Sequence, residues 1–302
     1  MATGTHIRNP IEWGWDQLKL STHAMGSAAH ALDEALEMRE AAPPDVRRIG
    51  LADLRDALAK GFADFAAFRS DVIFLCLLYP IIGLVLSRAA FGHGMLPLIF
   101  PLASGFALLG PAVAVGLYEM SRERENGQDT DWRHAFGVVR SPAFGGMLML
   151  GLFLLAIFAL WQVAAFAVYN VTFGPQMPVS LEAFVRDVFT TADGWTMIVV
   201  GCGIGLLFAI LVLVISVVSF PLLLDRHVGL STAVVTSVRA VMANPGPMAA
   251  WGLIVAASLV VGAIPLLLGY AIVIPVLGHA TWHLYRHMVP RPEAPRIAQQ
   301  PV

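Results

Sequence analysis

Leu51, Leu54, Leu58, Phe62, Phe65 and Phe68 follow one another at steps of three or four, the spacing of one helical face. Asp53, Arg55, Asp56, Lys60, Asp64 and Arg69 fall on the opposite side, where Asp56 and Lys60 make an acid-first pair four residues apart. This predicts an amphipathic helix over 51–69. It is too charged to cross a bilayer but suited to lie in its surface with the apolar face sunk by roughly 5–10 Å. Past Asp71 the periodicity gives way to apolar runs. Val72–Ser87 carries no charge and contains Pro80, and Ala89–Phe91 can extend it into a first span. The uncharged stretch between His93 and Glu119 is a second span, long enough at about 1.5 Å per residue for a core of about 30 Å. Pro97, Pro101 and Pro111 predict breaks in it, whose freed backbone groups neighbouring helices must satisfy.

Ala143–Tyr169 predicts a third span, with Trp161 and Tyr169 toward one end as interfacial aromatics, and Val171–Asp193 a polar loop. Gly194–Leu224 is uncharged throughout and predicts one long or tilted span. Val241–Gly278 is also free of charge, and as a single helix it would measure about 57 Å, nearly twice the apolar core. Two crossings joined by a tight turn near Pro265–Gly269 fit it better, with a re-entrant pair as the alternative. The fold class is therefore all-α, a polytopic membrane protein of six transmembrane helices. Asp131–Arg140 and Ser231–Met242 stand before spans three and five as 51–69 stands before span one, so three repeats of surface helix plus hairpin are an open reading. The expected organisation is a polar N-terminal cytoplasmic segment (1–47), a six-span domain (48–289) and a flexible C-terminal tail (290–302). Met1–Asp45 has no continuous apolar core of a cleaved signal, so the first span is expected to act as the targeting signal.

Composition agrees with this reading. At 57% hydrophobic and 13% charged residues, with a mean hydropathy of +0.72, the chain has more apolar surface than one soluble core can hide. A net charge of −2 without a Lys/Arg cluster excludes a nucleic-acid footprint. Of the 19 basic residues, only Arg88 and Arg186 fall in the loops of one side. The positive-inside rule then places both termini in the cytoplasm. Cys76 and Cys202 both lie in apolar runs, as packed, reduced thiols would.

LADLRDALAKGFADFAAFRSD before the first span, ALLGPAVAVGLYEMSRERENG closing the second and GHATWHLYRHMV closing the last resemble an uncharacterised family of bacterial six-span integral membrane proteins. This is a domain of unknown function, some of whose members are labelled putative cytochrome c oxidase subunit. The resemblance runs from about Arg48 to Val289 and implies location and topology without an activity. A haem-copper catalytic subunit needs several histidines deep in its spans, and only those near His279 come close.

His279, His283 and His287 recur every fourth residue on one helix face, a step that lets imidazoles share a metal, and they are the candidate metal ligands. Their acidic partners would come from Glu119, Glu123 or Asp225. The alternative is an interfacial belt in which Trp282, Tyr285 and Arg286 meet anionic headgroups. Glu119 can pair with Arg122, and Gly201, Gly203 and Gly205 form a small-residue stripe that permits close helix contact. No phosphate loop, Ser-His-Asp order or CxxC pair occurs, so no catalytic residue and no cofactor is expected. Two function classes remain: a non-catalytic accessory, scaffold or assembly component, or a carrier or permease for an apolar or lipid-like solute. A metal or haem enzyme ranks third. Expected partners are the lipid bilayer and, as an open reading, other membrane proteins, respiratory components included.

Overall fold

The helix expected over 51–69 is present over 51–68 (α1), but its inward face is not purely apolar. Leu54, Ala57, Phe65 and Phe68 are buried, Leu51 and Phe62 are exposed, and Asp64 is turned inward with only 5% exposure. The computed structural model describes residues 43–68, 96–128, 138, 141–175, 178–265 and 268–291, and every regular element among them is helical. The expected first span with Cys76, nearly all of Asp131–Arg140, and both chain ends lie outside the described residues.

The proline-rich second run is broken as its sequence requires. It consists of α2 (Ile99–Phe106), a 3-10 turn (Ala107–Leu109), the short α3 (Gly110–Val113) and α4 (Val115–Glu125). Pro111 stands in the first turn of α3, where a missing N–H costs no helical bond. The Pro101 carbonyl accepts from Trp161 Nε1 (3.0 Å) and Gln162 Nε2 (3.1 Å) of the next long helix, so a neighbour does satisfy the broken segment. Trp161 is consequently buried and not an interfacial aromatic; Tyr169 too is buried, in ring contact with Phe173 and Phe184.

That helix, α5 (Phe144–Phe173), packs against α7 (Ala192–Ser216). The glycine stripe contributes at one position above all: a Cβ on Gly205 would lie 3.1 Å from the Trp161 ring, whereas one on Gly203 would meet nothing within 4 Å. Between these helices the expected polar loop holds α6 (Leu181–Thr190). Ser180 Oγ caps it by accepting from Ala183 N, and Leu181, Phe184, Val185 and Val188 recur at helical spacing, a signal hidden by the surrounding polarity. Cys202, expected to be packed, is exposed on α7.

α7 continues into α8 (Ser219–Asp225) as one apolar run interrupted only at Val217–Val218. Ser237 of α9 (Leu230–Ala243) bridges the interruption: its Oγ accepts from Val218 N (3.2 Å) and donates to the Val214 carbonyl (2.8 Å). The last apolar run forms α10 (Pro245–Ala263) and α11 (Tyr270–Met288), packed as a hairpin about the expected turn. Asn244 ties this hairpin to the segment just before α1. Its Oδ1 accepts from Ile49 N (2.7 Å), its Nδ2 donates to the Arg47 carbonyl (3.1 Å), and Arg47 N donates to the Met288 carbonyl (2.8 Å).

Among the described residues four stretches, Phe100–Glu125, Phe144–Phe173, Ala192–Asp225 and Pro245–Ala263, are long and apolar enough to cross a membrane. Leu152, Phe153, Val163, Val199, Leu206, Leu207 and Val260 stand exposed along them. In water such faces would be an aggregation hazard; in lipid they are the expected surface. α11 is not in this group, because its second half carries His279, His283, Arg286 and His287.

Candidate functional site

Most charged residues of the described helices collect at one end of the bundle, where α1, the end of α4, α8 and the last turns of α11 meet, apart from Glu182, Arg186, Asp187 and Asp193 of α6 and the start of α7. α1 and α11 run past each other in opposite directions. A Cβ on Gly61 would lie 2.6 Å from the backbone N of Ala280, so only glycine permits this approach. The crossing matches an acidic stripe to the histidine stripe. His283 Nε2 is 2.8 Å from Asp64 Oδ2, and His287 Nε2 is 2.8 Å from Asp56 Oδ2 with Asp53 at 3.6 Å. His279, fully buried, places Nδ1 2.8 Å from Ser121 Oγ, which in turn donates to Asp64 Oδ2 at 2.6 Å. Arg124 completes the group by donating to Asp64 Oδ1 (2.8 Å) and to the Ala63 carbonyl (2.9 Å).

Proton accounting limits what this cluster can do. Ser121 has one hydrogen and Asp64, when ionised, can only accept, so that hydrogen points at the carboxylate and His279 must carry its own on Nδ1. A serine nucleophile needs the opposite polarity, with its proton moving to the imidazole and the acid behind the histidine. Burial works to raise the Asp64 carboxyl, but hydrogen bonds from His283 and Ser121, with the charges of His283 and His279, outweigh it and hold the group below the ordinary carboxylate value. Asp56 is lowered too, first by its hydrogen bond with Lys60, against a smaller desolvation, and then by His287.

Beside this seam lies a second group. Asp225, at the end of α8, accepts from the Arg286 fork (2.7 and 2.6 Å) and from the Tyr285 hydroxyl (2.7 Å). Glu125 accepts from Trp282 Nε1 (3.0 Å) and Arg286 Nε (2.9 Å), and the Arg286 guanidinium lies 4.7 Å over the Trp282 ring. Trp282 and Tyr285 are thus buried against protein acids, not laid out toward headgroups, because each polar tip finds a carboxylate inside the bundle.

The structure brings His279, His283 and His287 together along one helix but gives each a different partner. Among the described residues no group of three or more His, Cys, Asp or Glu is arranged to hold a metal ion. The expected pair of Glu119 with Arg122 is present at 2.6 Å. The acids that meet the histidines are Asp53, Asp56 and Asp64, whereas Asp225 serves Arg286 and Tyr285. A signal for this did exist, since acids at 53, 56 and 64 and histidines at 279, 283 and 287 share a helical period and can form facing stripes. Ser121, Arg124 and Asn244 carried no such signal.

No curated protein and no solved structure matches the chain. A family model does match it, over the segment that includes α2–α8 and so six of the groups just described: Glu119, Ser121, Arg122, Arg124, Glu125 and Asp225. Residues 99–225 are matched by the family described as Predicted integral membrane protein (DUF2189), in keeping with the apolar spans and with the lipid contact that their exposed faces require.

Proposed function

We propose that this chain is a non-catalytic accessory or assembly component of a bacterial inner membrane, crossing it six times with both termini in the cytoplasm. The observation that carries the reading is the way charge is disposed. At the polar end the histidines and acids of the α1–α11 seam are held by other protein groups, His279 through Nδ1 alone with its unpartnered Nε2 fully buried, and the four apolar stretches offer no charged path between the two ends. Chemistry needs an available nucleophile or base, and a proton or ion route needs ionisable groups at depth. Residues spent on holding α1 to the bundle build a shaped, rigid surface instead. The asymmetry of basic residues supports the orientation.

A carrier for an apolar or lipid-like solute is the second reading, favoured by the broken backbone of 96–125 and its side-chain-satisfied carbonyl at Pro101. Proteoliposomes containing the purified chain alone separate the two. The accessory reading expects no saturable movement of fluorescent lipid or apolar solute above protein-free vesicles. In native membranes it expects cross-linking to a partner in fixed stoichiometry. Saturable movement in the proteoliposomes would replace it with the carrier.

A further inference from the structure

Five buried side-chain atoms among the described residues lack a hydrogen-bond partner, and three of them belong to residues around one cleft: Glu119 Oε2, Arg122 Nε and Arg226 Nε. Buried polar atoms are rarely left so, and a local concentration of them calls for an occupant. The cleft, of about 230 Å³, lies where the end of α4, the turn at Ser141–Ala143 before α5, and the end of α8 converge. The other atoms of these side chains are committed. Glu119 Oε1 holds Arg122 (2.6 Å), Arg122 Nη1 donates to the Leu224 carbonyl (3.2 Å), and Arg226 Nη2 donates to the Pro290 carbonyl (2.6 Å). Asp225 is occupied by Arg286 and Tyr285, and Arg226 Nε stands 3.6 Å from it, beyond hydrogen-bond reach.

What remains unmet has a definite chemistry: acceptors for two guanidinium edges and a donor for one carboxylate oxygen. A simple anion would face Glu119, only 6% exposed, and a simple cation would face two arginines. A zwitterion satisfies both. The volume is below the about 300–1,000 Å³ of sites for drug-sized ligands, which suits a headgroup and not a nucleotide cofactor. The position agrees, because Phe100–Glu125 and Ala192–Asp225 end here and Phe144–Phe173 begins here, so the cleft opens at the level of the headgroups of the adjoining leaflet.

We propose that this cleft binds a phosphoryl group bearing a primary ammonium, the headgroup of phosphatidylethanolamine, with the phosphoryl oxygens on Arg122 and Arg226 and the ammonium on Glu119. The site stands independently of the accessory reading, since a carrier or a scaffold could equally hold such a lipid. The full chain is equilibrated in vesicles of equal phosphatidylethanolamine, phosphatidylcholine and phosphatidylglycerol, re-extracted, and its retained lipid quantified. Phosphatidylethanolamine should be enriched at least fivefold over phosphatidylcholine, whose trimethylammonium has no N–H to give Glu119, at about one per chain. Glu119→Gln should bring that ratio toward one, and Arg226→Gln should lower retention of both zwitterionic lipids, at unchanged helicity. Competition by millimolar O-phosphoethanolamine would assign the site to the soluble compound with the same chemistry, and its failure to compete would assign it to the lipid. Equal retention of the three lipids by the wild-type chain, or preference for phosphatidylglycerol, overturns the proposal whatever the variants do.

Discussion

Asp64 concentrates more of this molecule's interactions than any other side chain on α1. It is buried, it accepts from Ser121 and Arg124, and it faces His283. Removing one partner of a buried pair leaves the others without an opposite charge, at about 3–5 kcal/mol. Asp64→Asn is therefore expected to lower the thermal midpoint of the detergent-solubilised protein strongly, whereas Lys60→Gln, at an exposed pair, should shift it little. A double substitution with His283→Gln should cost less than the sum of the singles; strict additivity would show that the two side chains do not interact. The same carboxyls set a pH dependence. Asp64 is held below its ordinary value of about 3.9 against its own burial, and Asp56 is held below it chiefly by Lys60. A depressed carboxyl stabilises fully above that ordinary value and loses its contribution as pH falls through the lowered one. The groups facing the two acids are His279, His283 and His287 from α11, Ser121 and Arg124 from α4, and Lys60 and Asp53 beside them. Hydrogen exchange of 51–68 should consequently stay protected as pH falls to the carboxylate range and open below it. Full protection of 51–68 at a pH well below the carboxylate range would contradict the assignment.

At the scale of elements, helix contacts here are decided by which positions lack a side chain. Gly61 lets α1 lie against Ala280, and a methyl there meets backbone at 2.6 Å, so the helix must move as a body. Gly61→Ala is expected to cost about 1–3 kcal/mol by overpacking and to raise proteolysis within 43–68. Gly203→Ala, which meets nothing within 4 Å, should be silent in both measurements. The elements themselves were largely legible, because an apolar run is a property of a short window of sequence. The breaks at Pro101 and Pro111, the joined α7–α8 run and the α10–α11 hairpin all follow from local residue types. What escaped were pairings across the chain. Asp64 looked like part of a solvated face because its periodicity is polar, and nothing local says that a histidine 219 residues away will cover it. Leu181–Thr190 escaped for the opposite reason, its short apolar stripe being diluted by polar neighbours.

For the whole molecule, the polar end and the apolar spans together bear on orientation. α1, the end of α4, the end of α8 and the last turns of α11 meet on one side, and α6 with the α5–α6 connection lies toward the other. The first side carries Arg122, Arg124, Arg226, Arg286 and Arg291, while the α5–α7 connection carries Arg186 alone. If that bias fixes the topology, the seam faces the cytoplasm, where Lys and Arg are retained during insertion. Single cysteines in a Cys76→Ala, Cys202→Ala background test this without a ligand or an activity. Gln128→Cys and Ala294→Cys should resist an impermeant maleimide in intact cells and react after permeabilisation, and Ser180→Cys should react in intact cells. Ser180 ends the connection that enters α6, so its labelling reports the far side of both α5 and α7. Protection of Gln128 with labelling of Ala294 would give an odd number of crossings between those two positions and contradict the six-span reading. Labelling of Gln128 with protection of Ser180 would invert the molecule, turning the histidine–acid seam and the adjoining cleft toward the opposite leaflet.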